Sequence, residues 1–240
     1  MSTNTRGALF LIGGAADSVF ADFVRLAGGR SAHIVVVTHA SGVPRQSGND
    51  ISDALRKQGV KRITVLTPRG AQRLPDHVDA IYMGGGDQNR LVRLLDANGL
   101  GQQIRDANRR GVLVAGTSAG AAGVVAVMMA GETDDYKKGV IQEGTILLAK
   151  GLCLRHGLVV DTHFGQRKRQ ARLRMALGSM DGVSGLGLDE DTAAYITGND
   201  IEVFGAGKFW VYTTGGGTDF NSIACAAKEL TYSVGSKFAL

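Results

Sequence analysis

Five short apolar runs, each closed by a glycine or a turn residue, limit what this chain can become. They span residues 8–12, 33–38, 62–66, 80–83 and 112–115. Helix-like patterns lie between them, at 19–26, at 50–57 before Gly59, at 91–96, and at 101–109 before Gly111. A strand covered on both faces reads as a continuous apolar run. Alternating such runs with amphipathic helices predicts a mostly parallel sheet covered on both sides. The expectation is therefore an α/β fold, a three-layer sandwich around a mostly parallel central sheet. Sheets of this kind place their sites at the carboxyl ends of the strands.

The second half adds more strand. Buried runs at 158–161 and 183–188 flank a polar helix expected over 166–177. Beyond Asp191 the text is β-rich, with runs at 193–197, 201–204 and 208–212 and a hairpin turn at Gly198-Asn199-Asp200. Gly215-Gly216-Gly217 and a last strand close the chain. Residues 132–151 are the least regular stretch and read as an insertion near the site. The 240 residues suit one domain, and no internal repeat or linker divides them.

Composition excludes several classes. Apolar residues make up 44% and charged residues 20%, as in an ordinary globular protein. The net charge of +5 admits an anionic partner, but aromatics are only 6% and no long basic stripe is present, which argues against nucleic acid. No stretch approaches the roughly 20 apolar residues of a membrane span, and the N-terminal run is too short for a signal peptide. A cytoplasmic protein without membrane association is expected. Cys153 and Cys225 sit among small or apolar neighbours without metal-ligand spacing and read as buried free thiols; no metal or cofactor is expected.

The chemistry centres on residues 112–123, VLVAGTSAGAAG. An apolar strand runs into Gly116-Thr117-Ser118-Ala119-Gly120 and then into small residues suited to a helix. A serine on such a sharp strand-to-helix turn is held exposed at the top of a sheet, and the helix start offers free N–H groups to a developing oxyanion. The competing reading is a Gly/Ala-rich helix start packed on the sheet. Residues 83–90, MGGGDQNR, also follow a strand. The glycines bring backbone N–H groups to a surface as an anion nest or second oxyanion donor. Asp87 reads as a helix cap, and Gln88 as a substrate contact.

A serine nucleophile needs a base. Of the five histidines, His163 alone ends an apolar strand expected to abut the same sheet. The base needs an orienting carboxylate, and Asp189, Glu190 and Asp191 are adjacent candidates among which spacing does not choose. The order Ser, His, acid differs from the Ser, acid, His of α/β-hydrolases, and no histidine follows His163. That disfavours a lipase or esterase. Finally, residues 166–174 read QRKRQARLR. On a helix, Arg167 and Arg174 would lie within about 20° of one another, and Arg169 and Arg172 within about 60° on the other side. Arginine matches carboxylates bidentately, so the cluster reads as a carboxylate site or as a solvated basic face.

Leu11-Ile12-Gly13-Gly14-Ala15, GGGDQ, GTSAGAA, VVDTHFGQRKRQAR and GLGLDEDTAAY together resemble the cyanophycinases, serine peptidases of family S51 related to dipeptidase E. The resemblance implies a class I glutamine-amidotransferase-like (flavodoxin-like) fold. It implies Ser118 as nucleophile, His163 as base and Glu190 as orienting acid, and oxyanion donors at Gly86 and Ala119. Substrate contacts would fall at Gln88, Asp161, Thr162, Arg167, Arg169 and Arg172, with Thr162 standing where the family often has glutamine. The implied substrate is cyanophycin, a poly-aspartate bearing arginine on each β-carboxyl, and the implied product is β-Asp-Arg. In this picture the arginine cluster takes the substrate's carboxylate and Asp161 its guanidinium. The alternatives are an aspartyl or isoaspartyl dipeptidase, or a non-catalytic binder of anionic peptides. Relatives of this kind suggest a homodimer.

Overall fold

The computed structural model describes residues 7–140, 142, 144–178, 180–213 and 228–239. The apolar runs of the first half become β1 (Leu9–Ile12), β2 (His33–Val37), β3 (Arg62–Leu66), β4 (Ala80–Met83) and β5 (Leu113–Thr117). Between them stand α1 (Phe20–Leu26), α2 (Pro44–Lys57), α3 (Gln88–Ala97) and α4 (Leu100–Arg109). Helix α2 starts well before residue 50 because Pro44 occupies its first turn, where a missing N–H costs nothing and φ is already helical. Helix α3 starts at its cap: the Asp87 carboxylate accepts from the N–H of Asn89 at 2.8 Å and of Arg90 at 3.1 Å.

The remainder comprises α5 (Ala119–Ala122), β6 (Val127–Glu132), α6 (Asp134–Lys137), β7 (Ile146–Lys150), β8 (Leu158–Thr162) and α7 (Gln170–Gly178). They are followed by β9 (Ser184–Leu188), β10 (Thr192–Thr197), β11 (Asp200–Gly205), β12 (Phe209–Thr213), β13 (Lys228–Tyr232) and β14 (Lys237–Ala239). Among the described residues, eight strands form the central sheet in the order β14-β11-β10-β1-β5-β4-β2-β3. The five from β1 to β3 are parallel, and β10, β11 and β14 extend the sheet antiparallel beyond β1.

Alternation along the strands decides which layer packs where. Phe10, Ile12, Ile34, Val36 and Tyr82 face one side, covered by Phe20, Phe23 and Val24 of α1 and Leu55 of α2. Leu9, Leu11, Val35, Val37, Ile81 and Met83 face the other, covered by Leu91 and Leu95 of α3 and Leu100 and Ile104 of α4. A second, four-stranded sheet, β13-β12-β9-β8, shares that second cluster through Val160, Leu186, Leu188, Phe209 and Val211. The chain is thus mixed α/β with a large, mostly parallel central sheet.

Four expectations need correction. Strand β8 does not join the central sheet. The free edge of β1 is taken by β10, and β8 pairs in parallel with β9 instead. The described part of 132–151 has regular structure: β6, which ends at Glu132, pairs antiparallel with β7, and α6, capped by Thr133, lies between them. A register shift between Met129 and Gly131 breaks the period-two pattern, which hides the strand from a sequence reading. Helix α7 starts at Gln170, so Arg167 and Arg169 lie in the turn before it. That turn is closed by Arg167 N–H to His163 O and Arg169 N–H to Phe164 O, and Lys168 there has φ 51°. Cys153 is partly exposed rather than buried; Cys225 and the glycines at 215–217 fall outside the described residues. The expected hairpin joins β10 to β11 through Gly198, whose φ is 57°.

Candidate active site

The strained turn predicted at the end of β5 is present. Ser118 has φ 52° and ψ −115°, a conformation that costs a residue with a side chain about 1–3 kcal/mol. Packing forces it. A side chain on Gly116 would collide with the carbonyl of Gly120, and one on Gly120 with the carbonyl of Met83 on the neighbouring strand. The two glycines thus let the turn close against β4 while Ser118 projects over the carboxyl edge of the sheet.

His163 follows β8 and also has a positive φ, 51°. Its N–H donates to the carbonyl of Gly13 at 2.6 Å, which ties the second sheet's strand end to β1. Beside it, Phe164 is fully buried against Trp210 and Tyr212, with ring centroids 5.7 and 5.9 Å away. The imidazole lies over Gly14, at φ 131°, where any side chain would displace the ring. Ser118 Oγ is 2.9 Å from His163 Nε2, and His163 Nδ1 is 2.6 Å from Glu190 Oε1.

The acid trio left open by spacing divides by partner. Asp189 is buried and accepts from the N–H groups of Gly165 and Lys208 and from Trp210 Nε1, which pins the loops around the histidine. Asp191 accepts from Ser18 N–H at 2.8 Å. Only Glu190 of the three reaches the imidazole, and its own N–H donates to Gln166 Oε1. The other histidines are engaged elsewhere or exposed: His33 bridges His77 O and Thr64 Oγ1, His39 bonds Gln72, and His77 and His156 are exposed.

A cavity of about 80 Å³ opens beside the serine. Gly86, Gln88, Ser118, Ala119, Asp161, Thr162, His163, Arg167, Arg169 and Arg172 all line it, together with Met129. Ala119 opens α5, so its N–H has no acceptor within the helix. Gln88 Nε2 donates to the carbonyl of Met129 at 2.8 Å, which turns the Gln88 side chain toward the β6–β7 hairpin.

Asp161 differs from a free acid waiting for a guanidinium. Its Oδ1 already accepts from Thr162 N–H, Arg169 Nη1 at 3.0 Å and Arg172 Nη1 at 2.5 Å. Its Oδ2 is buried without a hydrogen-bond partner among the described residues. Arg172 Nε also pairs with Glu132 Oε1 at 2.7 Å. Burial holds the Arg169 guanidinium below its ordinary range, and the Asp161 carboxylate opposes that shift. Burial likewise raises Tyr136, with Glu132 acting in the same direction. Arg167 is exposed at the rim and makes no ion pair among the described residues.

Two contributors escaped the sequence reading by function. Gly14 makes room for the imidazole; its signal was a glycine pair directly after a strand, like the one after β4. Glu132 holds Arg172, and a bulged strand with no clear period gave no signal for it. Among the described residues, no group of three or more His, Cys, Asp or Glu is placed to hold a metal ion, and no helix is long and apolar enough to cross a membrane.

Residues 9–204 match the profile of peptidase family S51. The chain belongs to peptidase family S51. It is 34% identical over 222 residues to a cyanophycinase of Geminocystis herdmanii, covering 86% of this chain and 80% of that one. It is 33% identical over 226 residues to a cyanophycinase of Synechococcus elongatus, covering 85% and 67%. The fold is similar to that of a crystallised peptidase from an acI-B1 actinobacterium, with a TM-score of 0.70, 18% identity, and 99% and 98% of the two chains covered. The S51 chain is therefore a peptidase of the cyanophycinase and dipeptidase E type, a hydrolase of the serine class.

Proposed function

We propose that this S51 peptidase hydrolyses cyanophycin to β-Asp-Arg through an acyl-enzyme on Ser118. The observation that carries the reading is the run Ser118 Oγ, His163 Nε2, His163 Nδ1, Glu190 Oε1, linked at 2.9 and 2.6 Å. Ser118 Oγ attacks the carbonyl carbon of an aspartyl α-peptide bond as His163 Nε2 takes its proton. The Gly86 and Ala119 N–H groups receive the oxyanion. His163 then gives the proton to the leaving amine, the C–N bond breaks, and the ester remains on Ser118. Water, deprotonated by the same imidazole, hydrolyses it. Glu190 keeps Nδ1 protonated and facing away from the serine, and it stabilises the imidazolium.

Substrate recognition follows from the charges. Arg167, exposed at the rim, offers a bidentate partner for the free carboxylate of the arginyl branch. Arg169 and Arg172, neutralised in part by Asp161 and Glu132, form the cationic wall. Asp161, buried behind these arginines, holds Arg169 and Arg172 in place. The cyanophycinase relatives support this substrate class.

Ser118→Ala tests the reading together with covalent labelling. A serine-directed phosphonate should add once, at Ser118, as read by peptide mass, and the variant should release no β-Asp-Arg. Undiminished release by Ser118→Ala contradicts the mechanism. An unlabelled serine in a protein that still binds anionic peptide points instead to a non-catalytic binder.

A further inference from the structure

A larger cavity lies further along the same edge of the sheet. It measures about 580 Å³ and is lined by residues 42–46, 67–69 and 90. Its charged lining is Arg45, Arg69 and Arg90, with no acidic residue. Among the described residues, none of these three guanidiniums has an ion pair. Pro44 in the first turn of α2 and Pro68 in the segment after β3 fix φ in the two walls, so the groove is pre-shaped.

Its position follows from strand order. Ser118 leaves the carboxyl end of β5, Gly86 that of β4, the segment leading through Gly42 and Val43 into α2 that of β2, and Thr67 that of β3. These strands are consecutive neighbours in the sheet. The groove therefore begins two to three strand spacings from the nucleophile, roughly 10–15 Å at about 4.8 Å each. An extended peptide covers that span in roughly three to four residues. The first turn of α3 divides the two cavities: Gln88 lines the serine pocket, and Arg90, about 200° further round, lines the groove.

We infer that this groove is an extended carboxylate-binding subsite. It holds the free carboxylates of the arginyl branches of the polymer, three to four residues from the bond being cut. The inference rests on the proposed function. The cavity beside Ser118 is small, and a polymer bound across it needs somewhere to continue. Three arginines that make no ion pair among the described residues offer bidentate partners for carboxylates, and the branch guanidiniums can stay in solvent. The groove thus distinguishes a long substrate from a dipeptide.

The test uses Ser118→Ala protein, with and without Arg45→Gln/Arg69→Gln, and fluorescent oligomers of one and four arginyl-aspartate units. The paired change should raise Kd for the four-unit oligomer about tenfold and that for the one-unit oligomer far less. Equal changes for both lengths, or none, overturn the subsite. So does tighter binding of a single-stranded oligonucleotide than of the four-unit oligomer. Wild-type release of β-Asp-Arg is read in parallel. Release with no effect of the arginine pair overturns the groove alone, whereas neither release nor binding overturns the function reading with it.

Discussion

At the scale of single residues, the site assigns separate work to neighbours that look alike in the sequence. Asp189, Glu190 and Asp191 are three consecutive acids, yet only Glu190 meets the imidazole. Glu190→Gln keeps the shape and removes the charge that stabilises imidazolium, so kcat should fall about 10²- to 10⁴-fold with a much smaller change in KM. Steady-state kinetics on a soluble aspartyl substrate read this split, and an unchanged kcat would remove Glu190 from the machinery. Glu132 acts one step further out, through Arg172. Glu132→Gln should raise KM roughly tenfold while kcat stays nearer wild type, because a loosened Arg172 weakens binding more than chemistry. Equal losses in both parameters would assign Glu132 a structural role instead. The serine, the histidine and the glycine frame were legible because a strand-to-helix turn leaves a fixed pattern. Glu132 was not, because nothing local marks a side chain whose partner lies on α7.

At the scale of elements, the strands of the first half were legible nearly to the residue, since each is apolar and ends in a turn former. Helix α7 was misplaced at its start. Its early residues have helical composition, but burial of Phe164 and the pull of Asp161 on Arg169 hold them in a turn. Phe164→Ala should cost about 3–5 kcal/mol of stability in denaturant unfolding and release the histidine from its place. The segment after β2 carries a different prediction. His39 is buried, and burial lowers its pKa from 6.5, with Arg90 adding to the shift and the Gln72 bond opposing it. A histidine with a depressed folded pKa binds a proton more readily when unfolded. Stability should therefore fall as pH drops below about 6.5, by at most about 1.4 kcal/mol per pH unit from this group. His39→Gln should flatten that slope in thermal melts from pH 7 to 5; an unaltered slope would show that other groups set it.

At the scale of the whole molecule, alternation of strand and helix foretold a covered parallel sheet, but not that a second sheet would carry the base. Composition along β8 says it is buried; only the competition for the edge of β1 decides which sheet takes it. The consequence is an active site assembled across layers, with Ser118 on the central sheet, His163 on the second, and the backbone of Gly13 between them. The most direct measurement of the central claim compares kcat/KM for cyanophycin with kcat/KM for short Asp-X peptides, using Ser118→Ala as the blank. The account predicts release of β-Asp-Arg with the polymer favoured by about 10²-fold or more, and none from the variant. Faster turnover of Asp-X peptides, or release that survives the loss of Ser118, would contradict it.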